Sequence, residues 1–206
     1  MKKIGQGLQF TVYDLENGNV MKVRNTKLKS IIKLVSWEPH YIFHPINLNQ
    51  EVEKAFERLD ESIAGLGKKE IESWMLANIV FGNGGRVGQE RVTPLSQVFK
   101  KGNLEESKKL IDLYIDFVIH LWGYGICDIT FNYTGNNGID SSGRVVLMDI
   151  GELTFSKGKV RSYIRDRTWE KRWSFTKDTP SNLKEYVRSQ MSGYLTEEVL
   201  ENCWKE

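Results

Sequence analysis

Cysteine, net charge and long apolar runs are all scarce in this chain. Cys127 and Cys203 are its two thiols. They lie far apart without metal-like spacing, so they read as ordinary thiols of a reducing cytoplasm, which is the expected location. With 206 residues the chain can bury a core and needs no disulfide scaffold. No apolar segment approaches the ~18 residues that a spanning helix requires. Met1-Lys2-Lys3 has no apolar run behind it, so no secretory leader is expected. A net charge of +2 gives no argument for nucleic acid. Neither a membrane nor a nucleic acid is therefore expected as a partner. Repeats and low-complexity tracts are also missing. His40 and His44 stand four apart, but they lie between Pro39 and Pro45 with no further ligand nearby, which argues against a metal site. His120 reads as a packed or surface side chain.

What is present suits one globular unit, or two small lobes sharing a cleft: 40% of the residues are hydrophobic and 27% charged. Residues 4–13 and 19–24 read as strands joined by an Asn17-Gly18 turn. A helix is expected over 26–36. A second covers 49–64, where Val52, Ala55, Phe56, Leu59 and Ile63 recur at helical spacing, and a short one covers 68–76. Residues 77–92 read as strand, glycine-rich turn and strand. Thr93-Pro94 then marks a boundary between a strand-rich part, 1–92, and a mainly helical part, 93–206. Asn103 can cap a long helix over 104–123 that Gly123 and Gly125 end. An Asn-rich loop leads into a hairpin that turns at Asp140–Gly143. Three helices are expected near 160–175, 181–192 and 196–205. In the first of these, Trp169 and Trp173 stand four apart and should pack on the core, leaving the interleaved Arg and Lys in solvent.

Two places carry chemistry. Gly5 and Gly7 flank one residue at the start of a hairpin, and Lys22 follows on the next strand. Backbone N–H groups bind phosphate where side chains do not block the approach, and a lysine on the next strand reaches phosphates as a point charge. Gly5 to Val12 fits G-x-G-x-x-G-x-V except at Phe10, and Val20-Met21-Lys22 fits the end of V-A-I-K. This hairpin resembles the nucleotide-binding hairpin of the protein-kinase-like fold. A Rossmann reading fails, because a strand rather than a helix follows the glycines. Downstream, Asp149-Ile150-Gly151 after a hairpin resembles D-F-G. Asp128, at the end of the long helix, falls where the catalytic-loop Asp belongs.

The resemblance implies an α+β, bilobal protein-kinase-like fold, with a small antiparallel sheet as N-lobe (1–92) and a reduced helical C-lobe (93–206). It implies ATP and Mg²⁺. Gly5 and Gly7 would cradle the phosphates, and Lys22 would hold the α/β-phosphates. Asp128 would orient the acceptor hydroxyl, and Asp149 and Asn136 would hold the metal, with Asn132 as the alternative amide. Glu90 to Val92 would meet adenine, with Val12 and Met148 against its faces. Glu51, Glu53, Glu57, Glu61, Glu70 and Glu72 are the glutamates available to pair with Lys22. The family's third glycine, its His-Arg pair and its A-P-E are missing, and only 55 residues follow Gly151. The implied activity is transfer of a γ-phosphate to a hydroxyl, on a protein Ser/Thr by preference. The alternatives are a small-molecule kinase of the aminoglycoside-phosphotransferase type and a pseudokinase that acts as a binding module.

Overall fold

The computed structural model describes residues 1–205. The chain is α+β with a small antiparallel sheet. It opens with strands β1 (Lys2–Gln6), β2 (Phe10–Asp14) and β3 (Asn19–Arg24), followed by helices α1 (Lys27–Trp37) and α2 (Pro45–Leu66). Strands β4 (Val80–Gly82) and β5 (Arg86–Glu90) complete a five-stranded sheet in the order β1-β2-β3-β5-β4. The expected strand over 4–13 is in fact two. Gly7 N–H donates to the Phe10 carbonyl at 2.8 Å, and that tight turn reverses the chain between β1 and β2. The Asn17-Gly18 turn does join β2 to β3, with Gly18 at φ 81°, where glycine carries no steric penalty.

Thr26 caps α1 by accepting the Lys29 N–H at 3.4 Å. Helix α2 starts earlier than its apolar pattern suggests, because Pro45 fits a first helical turn. Of the short helix expected over 68–76, only a 3-10 turn at Ser73–Leu76 forms. Ala77 and Asn78 take left-handed conformations at φ 50°, which end it.

The remainder comprises β6 (Thr93–Pro94), α3 (Leu95–Lys101), α4 (Leu104–Trp122), β7 (Cys127–Asp128) and α5 (Tyr133–Asn136). Then come β8 (Asn137–Ile139), β9 (Val145–Leu147), β10 (Leu153–Thr154), α6 (Lys157–Arg165), α7 (Ser181–Tyr194) and α8 (Glu197–Cys203). Asn103 and Glu106 form a reciprocal capping box at the start of α4. From α4, Ile111, Tyr114, Phe117, Val118, Leu121 and Trp122 are buried in the main core. Each apolar side chain of Leu or Phe size buried in this way contributes roughly 1.5–3 kcal/mol. Phe10 and Val87 of the sheet belong to the same core, so it runs continuously from sheet to helices. No helix is long and apolar enough to cross a membrane among the described residues.

The expected helix over 160–175 breaks. Arg167 turns left-handed at φ 45°, and a 3-10 turn and a π-turn replace the rest. Trp169 is therefore buried while Trp173 is 66% exposed, so the two do not share a core-facing side. Trp173 instead donates its indole N–H to Asp178 at 3.2 Å.

Candidate functional site

Pairing in the sheet sets one side of the site. Lys22 on β3 stands opposite Val12 on β2 and Val87 on β5. Its side chain is buried and donates to the Met148 carbonyl. Burial pushes the amine below the usual lysine range, and the nearby Asp149 charge opposes that shift. None of the candidate glutamates pairs with Lys22 among the described residues. Glu51 binds Lys54 at 3.0 Å, Glu53 binds Lys27 at 2.6 Å, and Glu72 accepts from Trp74 at 2.7 Å and Tyr124 at 2.8 Å.

The β1–β2 turn carries the glycines. A Cβ added at Gly5 or Gly7 would meet no protein atom closer than 3.8 Å, so internal packing does not demand glycine at either position. The carbonyls of Gly7 and Leu8 accept from the Asn25 amide at 3.1 and 3.0 Å, Leu8 also accepts from Ser30 at 2.7 Å, and Gln9 accepts the Asn25 N–H at 2.8 Å. The carbonyls of Gly7, Leu8 and Gln9 are thus all turned toward Asn25 and Ser30.

Two cavities meet beside this turn. The first, about 560 Å³, is lined by Gly5, Val12, Lys22, Glu90, Val92, Met148 and Asp149. The second, about 240 Å³, is lined by Gly7, Phe10, Trp37, Thr130, Asn132, Asn136 and Glu152. Val12, Lys22 and Asp149 border both. The Glu90 and Arg91 N–H groups go to the Ala77 and Gly18 carbonyls at 2.8 and 2.9 Å, which leaves Val92 to offer a backbone donor there.

Asp128 sits at the end of β7, buried and lining neither cavity; its partners Thr130 and Asn136 line the second. One carboxylate oxygen accepts the Thr130 N–H at 2.8 Å and the Thr130 hydroxyl at 2.6 Å. The other accepts the Asn136 amide at 3.0 Å. Burial pushes the carboxyl up to about 6, while the bonds from Thr130 and Asn136 pull it down. The loop is strained as well. Phe131, fully buried, adopts φ 47°, a conformation costing of order 1–3 kcal/mol for such a residue. Its ring lies edge-on to Trp169 at 5.8 Å, which helps hold it there.

Asn136 links Asp128 to Asp149. Its backbone carbonyl accepts the Met148 and Asp149 N–H groups at 2.7 and 3.1 Å while its side chain binds Asp128. Asn132 caps α5 and reaches the Asn136 side-chain oxygen at 3.4 Å. Asp149 accepts the Gly151 N–H at 3.0 Å. A side chain at position 151 would collide with Gln9, which donates to the Gly151 carbonyl at 3.0 Å and to the Ala55 carbonyl of α2 at 2.6 Å. Gln9 thus ties the glycine turn to α2 and to the Asp149 loop.

Sequence reasoning missed Gln9, Thr130 and Glu152. Thr130 stands two residues after Asp128, the spacing at which a hydroxyl can turn back on a carboxylate, and that was the available signal. Gln9 and Glu152 owe their roles to distant elements. Glu152 pairs with Arg58 at 3.3 Å; burial raises its carboxyl, with Arg58 opposing and Asp149 adding to the rise. Cys127 is buried and donates to the Asp128 carbonyl at 3.4 Å, and burial pushes its thiol up, away from the thiolate form.

Among the described residues no three His, Cys, Asp or Glu side chains gather as a metal cage. A hard cation that keeps phosphate oxygens in its shell needs fewer protein ligands. Asp149, Asn136 and Asn132 all border the second cavity and supply such oxygens. No family model and no curated protein matches the chain.

Proposed function

We propose that the chain is an ATP- and Mg²⁺-dependent phosphotransferase of the bilobal protein-kinase-like fold, with lobes 1–92 and 93–206 about the two cavities. One observation carries this reading: Lys22 and Asp149, 127 positions apart in sequence, border the same two cavities, with Asp128 joined to them through Asn136. Adenine fits the apolar first cavity between Val12 and Met148, with Val92 as backbone donor. Gly5 and Gly7 leave the β1–β2 turn open to phosphates, and Lys22 exchanges the Met148 carbonyl for a phosphate oxygen. Asp149 with Asn136 or Asn132 would hold the metal, whose part is to neutralise phosphate charge.

Asp128 has one oxygen occupied twice by Thr130 and the other once by Asn136. The second oxygen can still accept from an incoming hydroxyl, which orients that hydroxyl for in-line attack and takes its proton as the new bond forms. The acceptor is a hydroxyl on a protein Ser/Thr or on a small molecule, entering past Trp37 and Glu152.

The same occupancy favours a second reading, a nucleotide-binding module without transfer, since Asp128 is already satisfied by its own chain. Incubation with γ-labelled ATP and a cell lysate separates the two. Transfer that depends on Asp128 and Asp149 supports the enzyme. Retained transfer in Asp128→Ala or Asp149→Ala would overturn the assigned roles.

A further inference from the structure

Helix α1 and the segment after it carry apolar side chains that the rest of the described chain leaves exposed. Leu28, Ile32 and Trp37 on α1, Ile42 and Phe43 in the Pro39–Phe43 turn, and Ile46 at the start of α2 are exposed, from 54% for Trp37 to 82% for Phe43. These are six of the fourteen exposed large hydrophobic side chains among the described residues, gathered within nineteen positions. Scattered exposed apolar residues need no explanation, but a concentration of this kind marks a contact surface. The face rests on a small core of its own: Leu34, Leu48 and Val52 are buried, with Ile31, Val35, Tyr41 and Phe56 packed around them. The exposed side chains are therefore held in place on a built support.

Charge and shape indicate what covers the face. Between Lys27 and Asn47 the single acidic residue is Glu38, which lies 3.8 Å from His40. Lys27 is paired with Glu53, whereas Lys29 and Lys33 are in no ion pair among the described residues. Lys33 lies over the Trp37 ring at 4.8 Å, so a cation and an interfacial aromatic share one edge. A partner helix needs a groove to lie in. Of the six apolar side chains Trp37 borders the second cavity, and the other five line neither the first nor the second and stand out as knobs. Knobs flanked by lysines suit a soft anionic layer into which they sink by ≈ 5–10 Å.

We propose that this face seats the protein on an anionic lipid surface. Leu28, Ile32, Ile42, Phe43 and Ile46 enter the boundary between headgroups and acyl chains, and Lys29 and Lys33 meet the lipid phosphates. The absence of a spanning segment, which argued against a membrane partner, does not bear on contact of this kind.

The test is co-sedimentation of the full chain with phosphatidylcholine vesicles that contain or lack phosphatidylglycerol. Binding is expected to the anionic vesicles and to weaken with added salt. The double variant I42S/F43S should bind at least about tenfold more weakly. The variant K29Q/K33Q should lose about fivefold per lysine together with most of the salt dependence. All four positions carry exposed or half-buried side chains, and circular dichroism checks that both variants fold. No binding to either vesicle, or binding that both variants retain, overturns the proposal. So does self-association of the wild type that I42S/F43S abolishes, which would make the face an interface between copies.

Discussion

A Cβ added at Gly5 or Gly7 would meet nothing closer than 3.8 Å, whereas the Asp128 carboxylate accepts three hydrogen bonds in a loop that also holds a strained phenylalanine. The glycine turn is kept open by pointing its carbonyls elsewhere. The Asp128 loop is kept closed by burial and by bonds among Asp128, Thr130 and Asn136. On the proposed reading a surface that receives an anion must leave its space unused, as Gly5 and Gly7 do, although the Gly7 N–H itself goes to the Phe10 carbonyl. A group that must orient a hydroxyl gains from being fixed in place. On the proposed reading the sheet side binds and the helical side reacts.

Breaking the helical side should have the largest effect. Asp149→Ala and Asp128→Ala are each expected to lower the rate of γ-phosphate transfer by roughly 10²–10⁴-fold, measured with labelled ATP. A loss below tenfold in both would place the chemistry elsewhere.

The second effect is on stability. Burial raises the folded Asp128 carboxyl from 3.8 to about 6, so the folded state holds its proton more tightly than the unfolded chain does. Stability of the nucleotide-free protein should therefore fall as pH rises from about 4 to about 6, by up to about 3 kcal/mol from this group. Urea unfolding of wild type against Asp128→Ala isolates the slope, which the variant should lack. A slope of the opposite sign would mean that the hydrogen bonds outweigh burial.

Thr130→Val removes a hydroxyl bonded to a charged oxygen, an interaction worth roughly 1.5–3 kcal/mol. Turnover should fall by about tenfold or more while nucleotide affinity holds, and Thr130→Ser should restore it. The smallest effect on the fold belongs to the sheet side. Gly7→Ala should change stability by less than about 1 kcal/mol, because the space is open and φ is not in the left-handed region. It should weaken nucleotide binding severalfold, as read by titration calorimetry. Unchanged affinity would remove the turn from the site.

The parts of this arrangement that were legible in the sequence are those whose cause is local. The Asn17-Gly18 turn places Gly18 at positive φ, the α4 cap needs Asn103 and Glu106 three apart, and α2 shows its buried stripe directly. Of the candidate residues, Gly5, Val12, Lys22, Glu90, Val92 and Asp149 border the first cavity, Gly7 and Asn136 border the second, and Asp128 borders neither. What was not legible depends on distant partners. Gln9 looks like an ordinary polar loop residue until α2 and Gly151 are placed against it. Trp169 and Trp173 look like one helical face until Arg167 turns left-handed and sends one into the core and the other into solvent. Lys22 looks as if it needs a glutamate, but in the fold it is held by a backbone carbonyl and faces the charge of Asp149.

The most direct test is a thermal-shift titration of wild type and Lys22→Met with Mg-ATP. If Lys22 and Asp149 share one triphosphate, wild type should gain stability as RT ln(1 + [L]/Kd), about 2.7 kcal/mol at a hundredfold excess over Kd. Lys22→Met and Asp149→Ala should each lose most of that gain. A wild type that does not respond to millimolar Mg-ATP, or a response that both variants retain in full, would contradict the account.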